Sequence, residues 1–274
     1  MAAVVRVWAA TAMDGNSVRH PSGRGDPPEW REVWDQRAET IADSAELVVG
    51  EGIDRVPSWV ASRRLRETLE FIGDTHGLRM LDIGCGDGRI LGRLPAERWG
   101  VDFSANMLRL ARRRIGTDIP LAQASAIALP FQDDSFDLTL CLNVLHYLAD
   151  DDARTALTEM LRVTRPGGRL VMHVKSSVSP VGVSKRLASV GRGLLNQPRA
   201  IREYYRRPRW YRVALQPGAR QVGRFSYGLQ PTGAAPVGML RRYAGLEERL
   251  RSQLPSHGFG VDCYLKFAIE PARS

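Results

Sequence analysis

Leu81-Asp82-Ile83-Gly84-Cys85-Gly86-Asp87-Gly88 is the stretch that decides the fold of this 274-residue chain. The apolar run from Met80 to Ile83 reads as a strand, and three alternating glycines follow it at once. Glycines there let a tight turn bring backbone N–H groups against a ligand with no Cβ in the way. A dinucleotide fingerprint, G-x-G-x-x-G, needs its third glycine at position 89, where this chain has Arg89. Nicotinamide and flavin dinucleotides are therefore disfavoured. Asp102 closes the next apolar run, eighteen residues beyond Gly84, where a carboxylate can accept both hydroxyls of a ribose. The two features together specify a nucleoside-containing ligand at the C-terminal edge of a parallel sheet.

The flanking sequence repeats a strand–helix rhythm. A helical stretch is expected directly after the glycines. Trp99 to Phe103 reads as a strand, with Ser104 capping a helix from Asn106 to Ile115. Arg112-Arg113-Arg114 reads as a solvated face of that helix. Phe136 to Leu142 is a continuous apolar strand, and Asp150–Asp152 cap a helix that carries Leu157, Met160, Leu161 and Val163. Pro166-Gly167-Gly168 ends it, and Arg169 to Val174 is another strand. Strands that are apolar throughout and alternate with helices indicate an α/β fold, a doubly wound parallel sheet covered on both faces, with its core at 76–174.

Upstream, residues 1–29 read as a flexible leader rich in Gly, Pro, Asp and Ser. Two helices precede the core, one with Trp30, Val33, Trp34 and Ile41, the other starting at Pro57 with Val60, Leu65, Leu69 and Ile72. Residues 30–274 are expected to form one domain. Downstream come a basic insertion at 175–238, a helix at 239–254 and a strand near Val261–Ile269, so the C-terminal helix and strand occupy 239–270. That last segment looks short for a closing antiparallel hairpin.

Composition excludes whole classes. Hydrophobic residues make up 43% and charged residues 25%, which is ordinary for a globular chain with a sizeable core and not for a disordered or collagenous one. No apolar run is long enough for a transmembrane segment. Cys85, Cys141 and Cys263 have no metal-ligand spacing, which predicts no metal site, no disulfide framework and a reducing, cytoplasmic setting. The net charge is +9, and only three of the 39 basic residues are lysines. Between Lys175 and Arg224 there are twelve Lys/Arg and one acid, Glu203, so the basicity belongs to one segment.

LDIGCGDGRI, GVDFSANML, ASAIALPFQDDSFDLTLCLNVLHYL, LRVTRPGGRLVM and SHGFGVDCY occur in that order. Together they resemble the successive motifs of the class I S-adenosylmethionine-dependent methyltransferases, particularly the type-11 group, over roughly 76–174 and 245–270. The resemblance implies a Rossmann-like fold with N-terminal helices packed over the cofactor, a basic insertion after the fifth strand, and S-adenosyl-L-methionine as cofactor. It implies that Gly84 and Gly86 approach the methionine part and that Asp82 anchors a motif completed by Cys85 and Gly88. Asp102 would hold the ribose, Phe103 and Met107 would flank the adenine, and Leu142 and Asn143 would lie along the methionine. Ser125 stands where an acid usually meets the adenine amino group, with the Ala126 N–H beside it.

The acceptor is less specified. Strand C-termini line such sites, which nominates His146 and His173 as catalytic bases and Tyr147 as a substrate contact. Arg206, Arg207 and Trp210, within REYYRRPRWYR, would contact substrate. A cationic, aromatic cover suits an anionic acceptor, either a small molecule or lipid-linked, with O-methylation the leading reaction. The same composition suits RNA, or an anionic membrane surface met peripherally. An RNA methyltransferase and a non-catalytic regulatory protein retaining the fold are the alternatives. No proline-rich catalytic tetrapeptide follows the fourth strand, which reads LNVLHY.

Overall fold

The computed structural model describes residues 28–42, 58–178, 203–227 and 262–271, with positions 183 and 242 besides. The expected leader, apart from its last two positions, and the expected helix at 239–254, apart from position 242, lie outside the described residues.

Two helices come first, α1 (Pro28–Ala42) and α2 (Ser58–Ile72). The core follows as β1 (Arg79–Ile83), β2 (Glu97–Asp102), α3 (Ala105–Ile115), β3 (Leu121–Gln123), β4 (Phe136–Cys141), α4 (Asp150–Val163) and β5 (Thr164–Lys175). A short α5 (Pro208–Ala214), β6 (Ala219–Tyr227) and β7 (Asp262–Ile269) complete the described chain. The strands form one sheet in the order β3-β2-β1-β4-β5-β7-β6. The first five are parallel, and β7 runs antiparallel to both β5 and β6. The strand order reverses between β1 and β4, and the crevice at such a switch point is where doubly wound sheets bind ligands.

Alternate side chains divide the core between the two faces of the sheet. Leu81, Ile83, Val101, Leu170, Met172 and Leu265 face α4 and Tyr211 of α5. Met80, Leu138, Leu140, Val171 and Tyr264 face Ile72 and Leu69 of α2 and Ala111 of α3. Ser104 caps α3 as expected, its side chain accepting the Met107 N–H at 3.1 Å. Asp150–Asp152 instead fill the first turn of α4, whose cap is Ala149. Their charge complements the helix dipole without a side-chain cap.

Other expectations need correction. The helix expected after the glycines is a single 3-10 turn, Leu91–Arg93. Gly92 and Pro95 disfavour a longer helix, and β2 begins at Glu97, leaving no room for one. Arg112 and Arg114 are not merely solvated. Arg112 Nη1 donates to the Gly116, Thr117 and Ile119 carbonyls beyond α3, and Arg114 Nη2 pairs with buried Asp87 at 2.8 Å. The three-residue β3 had no apolar run to announce it.

The basic stretch at 175–238 is not an insertion throughout, because its residues 219–227 are strand β6. The strand lies at the sheet edge, where Arg220, Val222 and Arg224 are tolerated. It was invisible as an apolar run for that reason. With β7 it forms the closing antiparallel hairpin that the sequence left in doubt.

Arg206 is buried, not displayed to a substrate. Its Nη1 and Nη2 donate to the Leu145 and Leu148 carbonyls at 2.9 and 2.6 Å, and Nε donates to Asp150 at 2.8 Å. Truncation would leave buried carbonyls without donors, a cost of about 3 kcal/mol. We expect Arg206→Ala to lower the urea-unfolding free energy by about that amount, and Arg207→Ala, on an exposed side chain, to change it by less than about 0.5 kcal/mol.

Candidate functional site

A cavity of about 190 Å³ opens at the C-terminal ends of β1, β2 and β4. Its lining includes Asp82, Gly84, Cys85, Gly86, Asp102, Phe103, Met107, Ala126, Leu142, Asn143 and Tyr147. The glycine turn is held from inside the sheet, since the Gly84 and Cys85 N–H groups both donate to the Val101 carbonyl, at 2.8 and 2.9 Å. Gly84 has φ +70°, and a Cβ there would lie 2.2 Å from Val144 Cγ2, so only glycine fits. Gly86, at φ +53°, has nothing within 4 Å of its missing Cβ, and its N–H donates to Asp102 Oδ2 at 2.9 Å. Asn143 also lies in the left-handed region, at φ +62°. A strained residue at the wall of a cavity is a common mark of a functional site.

Two expected cofactor residues sit elsewhere. Gly88 does not line the cavity. Its missing Cβ would meet Ile115 and Ala111 at 3.2–3.3 Å, which makes it a packing glycine between the turn and α3. Ser125 does not line it either. Its hydroxyl accepts the Ile127 N–H at 3.4 Å and the residue bridges to Ala128, while Ala124 and Ala126 on either side face the cavity.

Helix α1 supplies wall residues that the sequence could not nominate singly, Trp34 and Arg37. It is docked by Asp35, which accepts the Ser104 hydroxyl and the Asn106 N–H, and by Ala38 packed with Met107 and Leu110. Trp34 meets Tyr147 edge-on at 5.5 Å. The helix was legible, but the side chain that reaches the cavity depends on this long-range docking.

The two catalytic candidates, His146 and His173, do not line the cavity. His146 is fully buried, its ring 4.2 Å from that of Tyr147 and 6.0 Å from that of His173. His173 lies deeper, with Nε2 3.2 Å from Asp262 Oδ1, and the same oxygen accepts from Lys175 Nζ at 2.7 Å. Burial by itself raises the Asp262 carboxyl. The Lys175 ammonium and the His173 hydrogen bond outweigh it and hold the group well below the usual carboxylate range. Ionised Asp262 only accepts, so the His173 proton resides on Nε2. The register explains the cluster, since His173 pairs with Tyr264 and Lys175 with Asp262 across β5 and β7. The link to Asp262 joins residues 89 apart, which spacing could not reveal.

Residues 81–172 match the family described as a methyltransferase domain. The chain is 30% identical to the O-methyltransferase cnsE of Penicillium expansum over 203 residues, covering 69% of this chain and 70% of that protein. The chain belongs to the S-adenosylmethionine-dependent methyltransferases. It is also 42% identical over 110 residues to a demethylmenaquinone methyltransferase of a Mycobacterium species, covering 39% of this chain and 46% of that one. The match to that relative spans about half of its length. Among solved structures, the magnesium protoporphyrin IX methyltransferase of Synechocystis, with S-adenosylhomocysteine bound, superposes with a TM-score of 0.59 at 14% identity, covering 88% of this chain and 98% of that one. That likeness shows the fold alone.

The cavity of this methyltransferase fits its cofactor on two counts. The open space at Gly86 lets backbone and ligand approach closely, and the acids suit a cationic ligand. Burial first, and the Asp102 charge second, push the Asp82 carboxyl up to about 8. A cation placed beside it favours the ionised form and reverses that shift. In the ligand-free protein Asp82 holds a proton that the unfolded chain, near the ordinary value of 3.8, has lost. This group therefore stabilises the fold fully below about pH 4, and the contribution drains away as pH rises to about 8. We expect Asp82→Asn to gain melting temperature relative to the wild type progressively from pH 5 to 8, with the difference flat above that. The wild type's affinity for S-adenosylmethionine should rise over the same interval. A pH-independent difference in melting temperature would contradict the assignment.

Proposed function

We propose that this methyltransferase moves a methyl group to an oxygen atom of a small-molecule or lipid-linked, anionic acceptor in the cytoplasm. The observation that carries the reading is the joining of Asp102, the glycine turn and Tyr147 on one cavity wall. The similarity to an O-methyltransferase over two thirds of the chain supports oxygen as the methylated atom. The basic character of the stretch after β5 supports an anionic acceptor. Three buried free thiols support a reducing compartment. Among the described residues, no helix is long and apolar enough to cross a membrane.

When bound, the cofactor supplies a methyl group already activated on a sulfonium sulfur. The chain's task is alignment, which can contribute several kcal/mol to lowering the barrier without any acid or base. Asp102 would take the ribose hydroxyls, Phe103 and Met107 would flank the adenine, and the Ala126 N–H would meet its edge. Leu142 and Asn143 border the methionine chain, with Asp82 offering negative charge. Tyr147 orients the acceptor. His146 acts through the Tyr147 ring it packs against and is a positioning residue, and His173, fixed by Asp262, supports His146 in turn.

The test is thermal denaturation with S-adenosylhomocysteine or NAD, beside an Asp102→Ala variant. At about 100-fold excess over its dissociation constant a ligand adds ~2.7 kcal/mol, or roughly 5 °C or more for a domain of this size. We expect adenosylhomocysteine alone to shift the wild type, with the shift lost in the variant. No shift with either ligand would overturn the cofactor assignment.

A further inference from the structure

A second cavity lies on the other side of the turn that follows β4. Arg154 of α4 and Arg206, Arg207, Arg209 and Trp210 line it together with Tyr205. Its volume is about 390 Å³. Four guanidinium groups converge on one opening. Arg206 is neutralised by Asp150 and spent on backbone carbonyls, so it forms the floor. Glu203 is engaged by the Tyr205 hydroxyl at 2.6 Å. Among the described residues no carboxylate pairs with Arg154, Arg207 or Arg209, and all three are exposed at the rim.

One rim cation, Arg154, is held in place beside the floor residue Arg206. The Arg154 and Arg206 guanidinium carbons lie 4.9 and 4.8 Å from the centroid of the Trp210 ring, so the indole is gripped by both. Such stacking fixes the planar fork before a ligand arrives and reduces the entropy lost per hydrogen bond. The guanidinium fork matches the spacing of phosphate oxygens and binds them in bidentate fashion.

We propose that this cavity is an anion site for a phosphate or diphosphate group, separate from the cofactor cavity. A diphosphate suits its size and its surplus of three unpaired cations. A nucleic-acid strand is less well served, because two guanidinium groups already lie over the Trp210 ring and compete with a base for it. Leu148 lines the cofactor cavity while its carbonyl accepts from Arg206 on the other side. The turn that carries Leu148 therefore links this rim to the wall of the cofactor cavity. The assignment deepens the anionic-acceptor reading and rests on it for the owner of the phosphate. The affinity of the cavity for diphosphate stands on its own geometry.

The test is isothermal titration of the whole chain with inorganic pyrophosphate at about 150 mM salt, where loose surface attraction is screened. We expect one site in the wild type, weakened at least about tenfold in Arg154→Gln/Arg209→Gln and, as a second variant, in Arg207→Gln. The adenosylhomocysteine melting shift, retained in each variant, reports that the fold and the cofactor cavity are intact. That shift also separates failure here from failure of the enzyme reading. No pyrophosphate binding, or equal affinity in wild type and variants, overturns the site. Vesicles of phosphatidic acid in phosphatidylcholine distinguish the source. Capture that pyrophosphate competes away assigns a lipid headgroup, and pyrophosphate binding without capture assigns a soluble phosphate. A short RNA oligomer that binds with a steep salt dependence and is not displaced by pyrophosphate would overturn the proposal in favour of a strand.

Discussion

The Asp102 carboxylate accepts the Gly86 N–H on one oxygen and the Ser104 N–H on the other, each at 2.9 Å. Everything at the cofactor end of the sheet is arranged around this one group. The first bond sets the glycine turn after β1, and the second sets the entry into α3. Ser104, held there, caps α3 and reaches Asp35, which docks α1 over the cavity. A carboxylate buried with two backbone donors is oriented before any ligand arrives, so a ribose bound as proposed would meet oxygens that need no reorganisation. The same charge adds to burial, the larger cause, in raising Asp82 beside it. The proposed ribose contact and the cover helix thus share one anchor, which also adds to the effect of burial on the neighbouring acid.

A second set of buried charges organises the other end of the site. Asp262, Lys175 and His173 meet where β7 runs back along β5, and Arg206 ties the chain after β5 to the turn after β4. Buried ions cost several kcal/mol each to desolvate and are tolerated only when paired. Both clusters satisfy that condition by joining residues distant in sequence, which ties the closing hairpin and α5 to the parallel core.

The parallel core was legible because its strands are buried on both faces and read as apolar runs, as at Phe136–Leu142. The glycine turn was legible because positive φ and close approach leave few alternatives to glycine. Strand β6 was not, since an edge strand carries arginines where a central one could not. The short helix after the glycines was over-read, although Gly92 and Pro95 stood in view. At the site, Asp102, nominated from its place in the chain, and Asn143, nominated from the resemblance, both line the cavity. Ser125 and Gly88 do not line the cavity, the first engaged in a local hydroxyl bond and the second packed on Ile115. Trp34 and Arg37 depend on how α1 docks, and Asp262 on strand pairing. Neither relation leaves a local signal.

The arginine-rich segment shows why charge counted along a chain is a poor guide to charge offered to a ligand. Arg206 lies amid the basic run yet spends its guanidinium on two carbonyls and an aspartate, while Arg154, outside the run, stands at the same rim as Arg207 and Arg209. Arg220 and Arg224 are on an edge strand on a different part of the sheet. Among the described residues, folding therefore divides this charge into structural cations, edge protection and a small convergent set. Among the described residues of this region, that last set is the one to which the proposed anion site attaches. It is also the set attached, through Arg206 and the Leu148 carbonyl, to the wall of the cofactor cavity.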